Sequence, residues 1–405
     1  MNFVFVVDAF PSVSETFILN QITGLIDLGH DVVIISAARP EDRDFHEDIR
    51  KYDLLQKTYY HNDREGNKLR RICWGLLLIA RYGYRSPKAV LNSLNFFKYG
   101  KEALSLNYLY KVMLFLALGN TDIILCHYGP NGNFAAQMKE LGVSGKIVTM
   151  FHGYDVRRGI KEGGKIYQSL FKRGDAYLSI SDYSYQHLVA FGAPVEKIHP
   201  HPVGIDVERY TVFSRGPLKG PVKILTVSRL VKEKGLDLGL DVIHKLVMER
   251  SLTNIEYYIL GDGPLKEDLR AQAQRLKIQD RIHWMGSQTQ EAVIRVLGES
   301  HLFFLPSTAE VLPVVLMEAQ ATRLPVLATR VGSVHQVILD GKSGYLVPSG
   351  DVHAIADKLE ELIRHPECWS DMGDLGRRHV EENYNIKKLN KRLVELCQGL
   401  LESRS

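Results

Sequence analysis

Residues 302–329 read LFFLPSTAEVLPVVLMEAQATRLPVLAT. Two apolar runs, residues 302–305 and 325–329, flank a segment of helix length that begins near Val314. A strand that is apolar along its whole length has both faces buried, and a helix joining two such strands is the crossover of a parallel sheet. Pro313 suits the first helical position, because its fixed φ and missing N–H cost nothing there. The helix is expected to run from about Val314 to Thr322.

The same alternation repeats outward in both directions. Strand-like runs occupy residues 3–7, 32–36, 122–126, 147–151 and 176–180 in the first half, and 223–228, 256–260, 302–305 and 325–329 in the second. Residues 213–221, FSRGPLKGP, cluster Gly, Pro and charge as a linker does. The expected fold class is therefore α/β, with two doubly wound, Rossmann-like domains facing across a cleft. Residues 1–215 would form an acceptor-binding domain and residues 216–385 a nucleotide-sugar-binding domain. A C-terminal helix, residues 386–405, would pack back toward the N-terminal domain.

Composition agrees with such a chain. It has 405 residues, enough for two domains, and is 45% hydrophobic and 24% charged with a net charge of +4. That charge is too modest for a nucleic-acid magnet, and no recognition motif accompanies it. The four cysteines lie far apart with no C-x-x-C pair, which argues against a metal cluster or a disulfide framework. No secretory leader is visible. Apolar runs such as residues 72–80 fall short of the ~20 residues a spanning helix needs. The chain reads as cytoplasmic.

In doubly wound sheets, ligands bind beyond the carboxyl ends of the strands. Those ends are polar here: CHYGPNG, FHGYD, SISDYS, VSRLVKEKG, LGDGP and LPSTAEV. The helix start at Val314 and Val315 offers unpaired N–H groups to a phosphate. Glu310 and Glu318, seven residues apart in between, suit vicinal hydroxyls of a ribose or sugar; as an isolated pair they would also pass for solvated helix residues. Arg229 and Lys234 flank a turn after a strand and have the makings of a diphosphate clamp, or of an ordinary basic turn. Gly261 and Gly263 allow close backbone approach to a ligand, although a plain strand-to-helix turn explains them equally well. His152 and Asp155 end a strand of the other half, where a histidine is as often structural as functional.

Taken together, these stretches resemble the family 4 retaining glycosyltransferases of the GT-B fold. The signature runs in order through SRLVKEKGLDLGL at 228–240, LGDGPL at 260–265 and the long stretch at 305–351. FPSVSETFILNQI at 10–22, HYGPNG at 127–132, FHGYDV at 151–156 and FKRGDAYLSISDYS at 171–184 are similar to the exopolysaccharide branch, typified by the colanic acid and amylovoran enzymes. The resemblance implies that Arg229 and Lys234 bind the donor diphosphate, with Gly261, Gly263, Val314 and Val315 beside it. It implies that Glu318 takes the ribose hydroxyls, that Glu310 orients the donor sugar, and that His152 reaches the sugar near the reacting carbon. No cofactor beyond a UDP- or GDP-sugar is expected, and no metal, since the Arg–Lys pair substitutes for a cation. Runner-up readings are a GT-B-fold sugar epimerase, a dinucleotide oxidoreductase, which lacks its G-x-G-x-x-G loop here, and a non-catalytic sugar-binding paralogue.

Three positions depart from the family pattern: Ser228, Val311 and Arg323 each replace a frequent glycine. Arg323 would cost about 1 kcal/mol if the helix ends in a left-handed cap. Between positions 64 and 101 stand nine Lys/Arg and one acid, interleaved with aromatic and aliphatic residues. That mixture suits a helix on an anionic membrane surface, or a solvated face over a core stripe. The first reading would bring the enzyme to a polyprenyl-diphosphate-linked glycan acceptor at the inner face of the plasma membrane. Finally, the first strand is followed by a glycine-free loop in which Ser12 and Glu15 have capping-box spacing. Its side chains Ser14, Glu15 and Thr16, with His127 and Asp155, are expected to line the acceptor side of the cleft.

Overall fold

The computed structural model describes residues 1–12, 15–40, 46–61, 68–211 and 220–403. It divides into two compact units, Met1–Pro202 with Asn390–Ser405, and Val203–Leu389. Most of the expected linker, and the expected boundary at 215, lie outside the described residues.

The first unit holds β1 (Asn2–Ala9), β2 (Asp31–Ala38), β3 (Thr58–Tyr60), β4 (Ile123–His127), β5 (Lys146–Phe151), β6 (Ala176–Ser179) and β7 (Ile198–Pro200). They pair in the order β3-β2-β1-β4-β5-β6-β7, all parallel. The second unit holds β8 (Val222–Val227), β9 (Ile255–Leu260), β10 (Ile282–Gly286), β11 (Leu302–Leu305), β12 (Val326–Thr329) and β13 (Gly344–Val347). Their order is β10-β9-β8-β11-β12-β13, again all parallel.

Both orders say the same thing. The first strand of each unit lies inside its sheet, the chain winds outward to one edge, then crosses back and winds to the other. Two switch points result, between β1 and β4 and between β8 and β11. Loops leave those neighbouring strands in opposite directions, so a crevice opens at their carboxyl ends. Register fixes which residues reach it: Phe3 pairs with Ile123 and Val6 with Cys126, so Asp8 and His127 emerge together; Leu302 pairs with Ile224, so Ser228 and Ser307 follow suit.

Cores confirm the two-faced burial. In the first unit Val4, Val6, Ile124 and Phe151 pack with Val112 and Leu170. In the second Ile224, Ile259, Phe304 and Leu327 pack with Leu240 and Leu359. The helix Ile386–Glu402 starts in the second unit, and from Asn390 onward it belongs to the first. There Leu393 and Cys397 are fully buried, and Asn390 Nδ2 donates to the Asn20 carbonyl at 3.4 Å. All four cysteines are free.

Candidate functional site

In the second unit, β8 runs into residues 228–230, a turn at Lys232–Lys234, and the helix Leu236–His244. β11 runs into the loop that carries Glu310. Thr308 and Ala309 donate their N–H groups to the Glu233 carbonyl at 2.8 and 3.3 Å, which ties the two loops together. Across that tie Lys234 Nζ lies 2.6 Å from Glu310 Oε1, and Ser307 Oγ donates to the same oxygen at 2.7 Å. The Glu310 side chain is only 8% exposed, so this pair is held at short range in a poorly solvated place. Arg229, one strand end away, is exposed.

The helix Val314–Ala321 follows Glu310. Pro313 is its N-cap, with ψ at 106°, and not its first helical residue as expected. Val314 and Val315 are half-buried, and their N–H groups precede the first intrahelical acceptor. Glu318, one turn in, accepts from the Tyr210 hydroxyl at 2.8 Å, and Gln290 Nε2 donates to that hydroxyl at 3.3 Å. Burial pushes the Glu318 carboxyl up while the Tyr210 bond opposes it. Burial, then the Glu318 charge, also holds the Tyr210 phenol protonated, so it stays a donor.

Gly261 and Gly263 require a correction. A Cβ on Gly261, at φ 134°, would meet the Ser228 carbonyl oxygen at 1.8 Å, and one on Gly263 the Leu230 oxygen at 2.6 Å. Leu230 N–H donates to the Asp262 carbonyl at 2.9 Å. The room these glycines give is taken up by the chain's own loop at 228–230, so they position Arg229 and are not bare floor for a ligand. Val311 is buried, and its carbonyl accepts from Ser333 N–H at 3.2 Å. Arg323 does adopt the left-handed cap, with φ at 60°.

In the first unit the strand ends of β4 and β5 are clamped by one carboxylate. Asp155 Oδ2 accepts from Gly129 N–H at 2.9 Å, and Oδ1 from His152 N–H at 2.7 Å and Val156 N–H at 3.0 Å. Asp155 is fully buried, and burial pushes its carboxyl up to about 7 against those three donors. It is thus not a rim residue for an acceptor: it holds the histidines' loops. His127 Nδ1 stands 3.1 Å from His152 Nε2, and His127 Nε2 stands 2.9 Å from Gln21 Oε1. Burial lowers His152 to about 3 and His127 well below its ordinary range, so both rings are neutral. With the Gln21 oxygen facing His127, Nε2–H of His127 donates to Gln21 and its Nδ1 accepts from His152. His152 Nδ1 is then the acceptor at the end of the chain.

The glycine-free loop also differs from expectation. The helix it leads into is Thr16–Asp27, with Glu15 and not Ser12 as N-cap and no side-chain bond from that cap; Ser12 bonds the Glu15 carboxyl. Glu15 Oε1 also accepts from the Tyr128 hydroxyl at 2.5 Å. Burial raises the Glu15 carboxyl, Tyr128 opposes, and Asp8 adds repulsion. Thr16 is half-buried and opens the helix, while Ser14 lies outside the described residues. Asn131 Nδ2 donates to Asp8 Oδ1 at 3.0 Å. Glu15, Tyr128, Asp8 and Asn131 therefore gather at the switch point between β1 and β4. Among the described residues, no group of three or more His, Cys, Asp or Glu is arranged to hold a metal ion.

Comparison with known proteins decides the family. The model described as Glycosyltransferase Family 4 matches residues 14–209, and the one described as Glycosyl transferases group 1 matches residues 211–379. WcaL of Salmonella typhimurium, named as a colanic acid biosynthesis glycosyltransferase, is 33% identical over 96% of this chain and 98% of its own. The chain belongs to the family 4 glycosyltransferases. The amylovoran biosynthesis glycosyltransferase AmsK of Erwinia amylovora is 32% identical over 99% of this glycosyltransferase and 100% of AmsK. Two solved structures share its GT-B fold: a Rickettsia africae glycosyltransferase, TM-score 0.71 at 18% identity, covering 100% and 99% of the two chains, and Anabaena HepE in complex with UDP, TM-score 0.74 at 13% identity, covering 98% and 100%. The enzyme is thus a glycosyltransferase.

Two polar partners escaped the sequence. Tyr210 lies 108 residues from Glu318, and Gln21 lies 106 from His127. Neither sits in a charged motif, and only the folded sheet brings them in.

Proposed function

We propose that this glycosyltransferase moves a sugar from a nucleoside-diphosphate donor to a lipid-linked glycan acceptor, with retention of configuration and without a metal. The observation that carries the donor assignment is the Lys234–Glu310 pair with Glu318 one helical turn further, all at the β8/β11 switch point. Arg229, Lys234 and the N–H groups at Val314 and Val315 are suited to the departing diphosphate, the charge that grows in the transition state. Glu318 keeps one oxygen beyond its bond to Tyr210, enough to share a ribose diol. Glu310 and His152 are assigned to the donor sugar. A histidine lowered to about 3 is a poor general base at neutral pH. The acceptor proton therefore goes to a leaving phosphate oxygen, on the face from which the sugar–oxygen bond breaks, and that geometry gives retention. UDP bound to the related fold of HepE supports a nucleotide donor.

The test is calorimetry with UDP, GDP and NAD, followed by transfer assays on Lys234→Ala and Glu318→Ala. One nucleoside diphosphate is expected to bind, and each variant to lose about 100-fold or more in transfer while keeping its Tm. Binding of NAD alone, or near-normal turnover in both variants, would refute the assignment. Anomeric configuration of the product by NMR, and activity in excess EDTA, test retention and metal independence.

A further inference from the structure

Tyr210 lies in residues 203–211, the stretch with which the second unit begins. Backbone bonds pin that stretch to its own unit. Ile205 N–H donates to the Tyr384 carbonyl at 2.9 Å, and Ile386 N–H donates to the Ile205 carbonyl at 3.0 Å. Arg377 Nη1 donates to the Tyr210 carbonyl at 2.7 Å and also to the carbonyl of Ala321, the last residue of the helix Val314–Ala321. One guanidinium thus fixes the backbone of Tyr210 against the end of the helix that carries Glu318.

The side chain reaches the same helix through its hydroxyl, 2.8 Å from Glu318 Oε1. Tyr210 is 2% exposed. A phenylalanine ring would fill that space equally well, so packing does not ask for the hydroxyl. Gln290 tells the same story. Its Nε2 donates to the Tyr210 oxygen at 3.3 Å, while its own amide oxygen is buried with no hydrogen-bond partner among the described residues. An unanswered buried acceptor costs free energy. What the arrangement secures is one N–H on the phenol oxygen, which directs the phenol proton to Glu318. Glu318 itself is half-buried, so its carboxylate is still open to a ligand. Binding a vicinal diol asks that carboxylate to be charged and to hold one orientation. The Tyr210 bond serves both needs, since it fixes one oxygen and opposes the burial that pushes the carboxyl up.

We propose that Tyr210 is the positioning residue that makes Glu318 select a ribonucleotide over a 2′-deoxynucleotide. Its hydroxyl holds Glu318 Oε1 in place, Gln290 keeps that hydroxyl turned toward the carboxylate, and the remaining lone pairs of Glu318 face the 2′ and 3′ hydroxyls together. A carboxylate that swings freely takes one hydroxyl as readily as two, and the distinction fades. The assignment rests on the reading of Glu318 as the ribose group, and adds to it the residue that aims it.

The experiment measures, by calorimetry on the full-length enzyme, the affinity for UDP and GDP and for their 2′-deoxy forms. Whichever base binds, the ribose form is expected to bind at least about tenfold more tightly than the deoxy form. Tyr210→Phe keeps the ring and removes the hydroxyl, and should cut that preference by about threefold or more at unchanged Tm. Glu318→Gln should cut it at least as far. Adding Tyr210→Phe to Glu318→Gln should cut it no further, because the tyrosine acts through the carboxylate. Gln290→Leu should lower the preference in the same direction, and it decides the matter if Tyr210→Phe does not fold. An undiminished preference in Tyr210→Phe, or its full loss repeated on top of Glu318→Gln, would overturn the proposal. The wild type separates the two readings. Equal binding of ribose and deoxy forms, or no binding of any, refutes Glu318 as the ribose group and this proposal with it. A clear ribose preference that Tyr210→Phe leaves intact fells the role of Tyr210 alone.

Discussion

Gln21 shows how much one neutral side chain can decide. It gives His127 an acceptor, and through His127 it fixes which nitrogen of His152 carries the proton. Gln21→Leu is expected to release that choice and lower kcat about 10- to 100-fold with little change in Tm. Imidazole ¹⁵N shifts would show mixed tautomers; a single tautomer with full activity would refute the role. The same burial sets a pH dependence. Folding lowers the pKa of His127, His152 and His201, the last to about 4, from an ordinary 6.5. As pH falls through 6.5 the unfolded chain takes up protons that the folded one refuses, so stability is lost. Asp155, Glu15 and Glu318 are raised and work the other way, but with His30 and His199 also lowered, five imidazoles outnumber three carboxyls. Thermal unfolding should therefore show a lower Tm at about pH 5 than at pH 7, and an unchanged Tm would contradict this account. Such couplings were illegible beforehand, because a glutamine is chemically unremarkable until a fold places it. His127, His152, Lys234 and Glu310 were marked beforehand because several polar groups gather at the same ends of the strands, although each alone has an ordinary structural explanation.

At the scale of elements, the helix Val314–Ala321 ends in a Schellman pattern: Leu324 N–H reaches the Ala319 carbonyl at 3.1 Å and Arg323 N–H the Gln320 carbonyl at 2.9 Å. Arg323 sits at the left-handed position and makes an exposed ion pair to Asp374 at 2.8 Å. Such a pair contributes ~0–1 kcal/mol. Arg323→Gly should leave stability unchanged or raise it by up to about 1 kcal/mol, whereas β-branched Arg323→Val should lower it by about 1–2 kcal/mol. Urea unfolding of both variants checks the order, and a more stable valine variant would disprove it. The nine strands read from sequence are all present. Four were missed, β3, β7, β10 and β13, and these are the four edges of the two sheets. Three of these edges are thinly covered, with one buried residue each in the three of β3, the three of β7 and the five of β10, whereas β13 is buried at three of its four. Without a continuous apolar run, the signal used for the inner strands does not exist there.

For the whole molecule, the decisive feature is a chain that leaves its first unit at Pro202 and returns at Asn390. The return is not decorative. Leu393→Ala removes a side chain with no exposed surface and should cost about 2–5 kcal/mol. That loss should appear in hydrogen exchange of the first unit's amides, and the same exchange rates as wild type would show the helix end to be dispensable. The layout of two doubly wound sheets was readable because periodicity is local. The return of the last residues was expected only as a helix at 386–405 packing toward the first domain, because an amphipathic pattern does not name the surface it will cover.

That return has a consequence during synthesis. A ribosome emits residues 203–389 after the first sheet and before its closing helix. At ordinary elongation rates this is a wait of roughly 10–40 s. At the end of that interval the second unit has its full sequence and the first does not, so the domain begun earlier is the one finished later. The surface that Leu393 and Cys397 will cover stays open on the nascent chain, and it is there that a chaperone would find its hold.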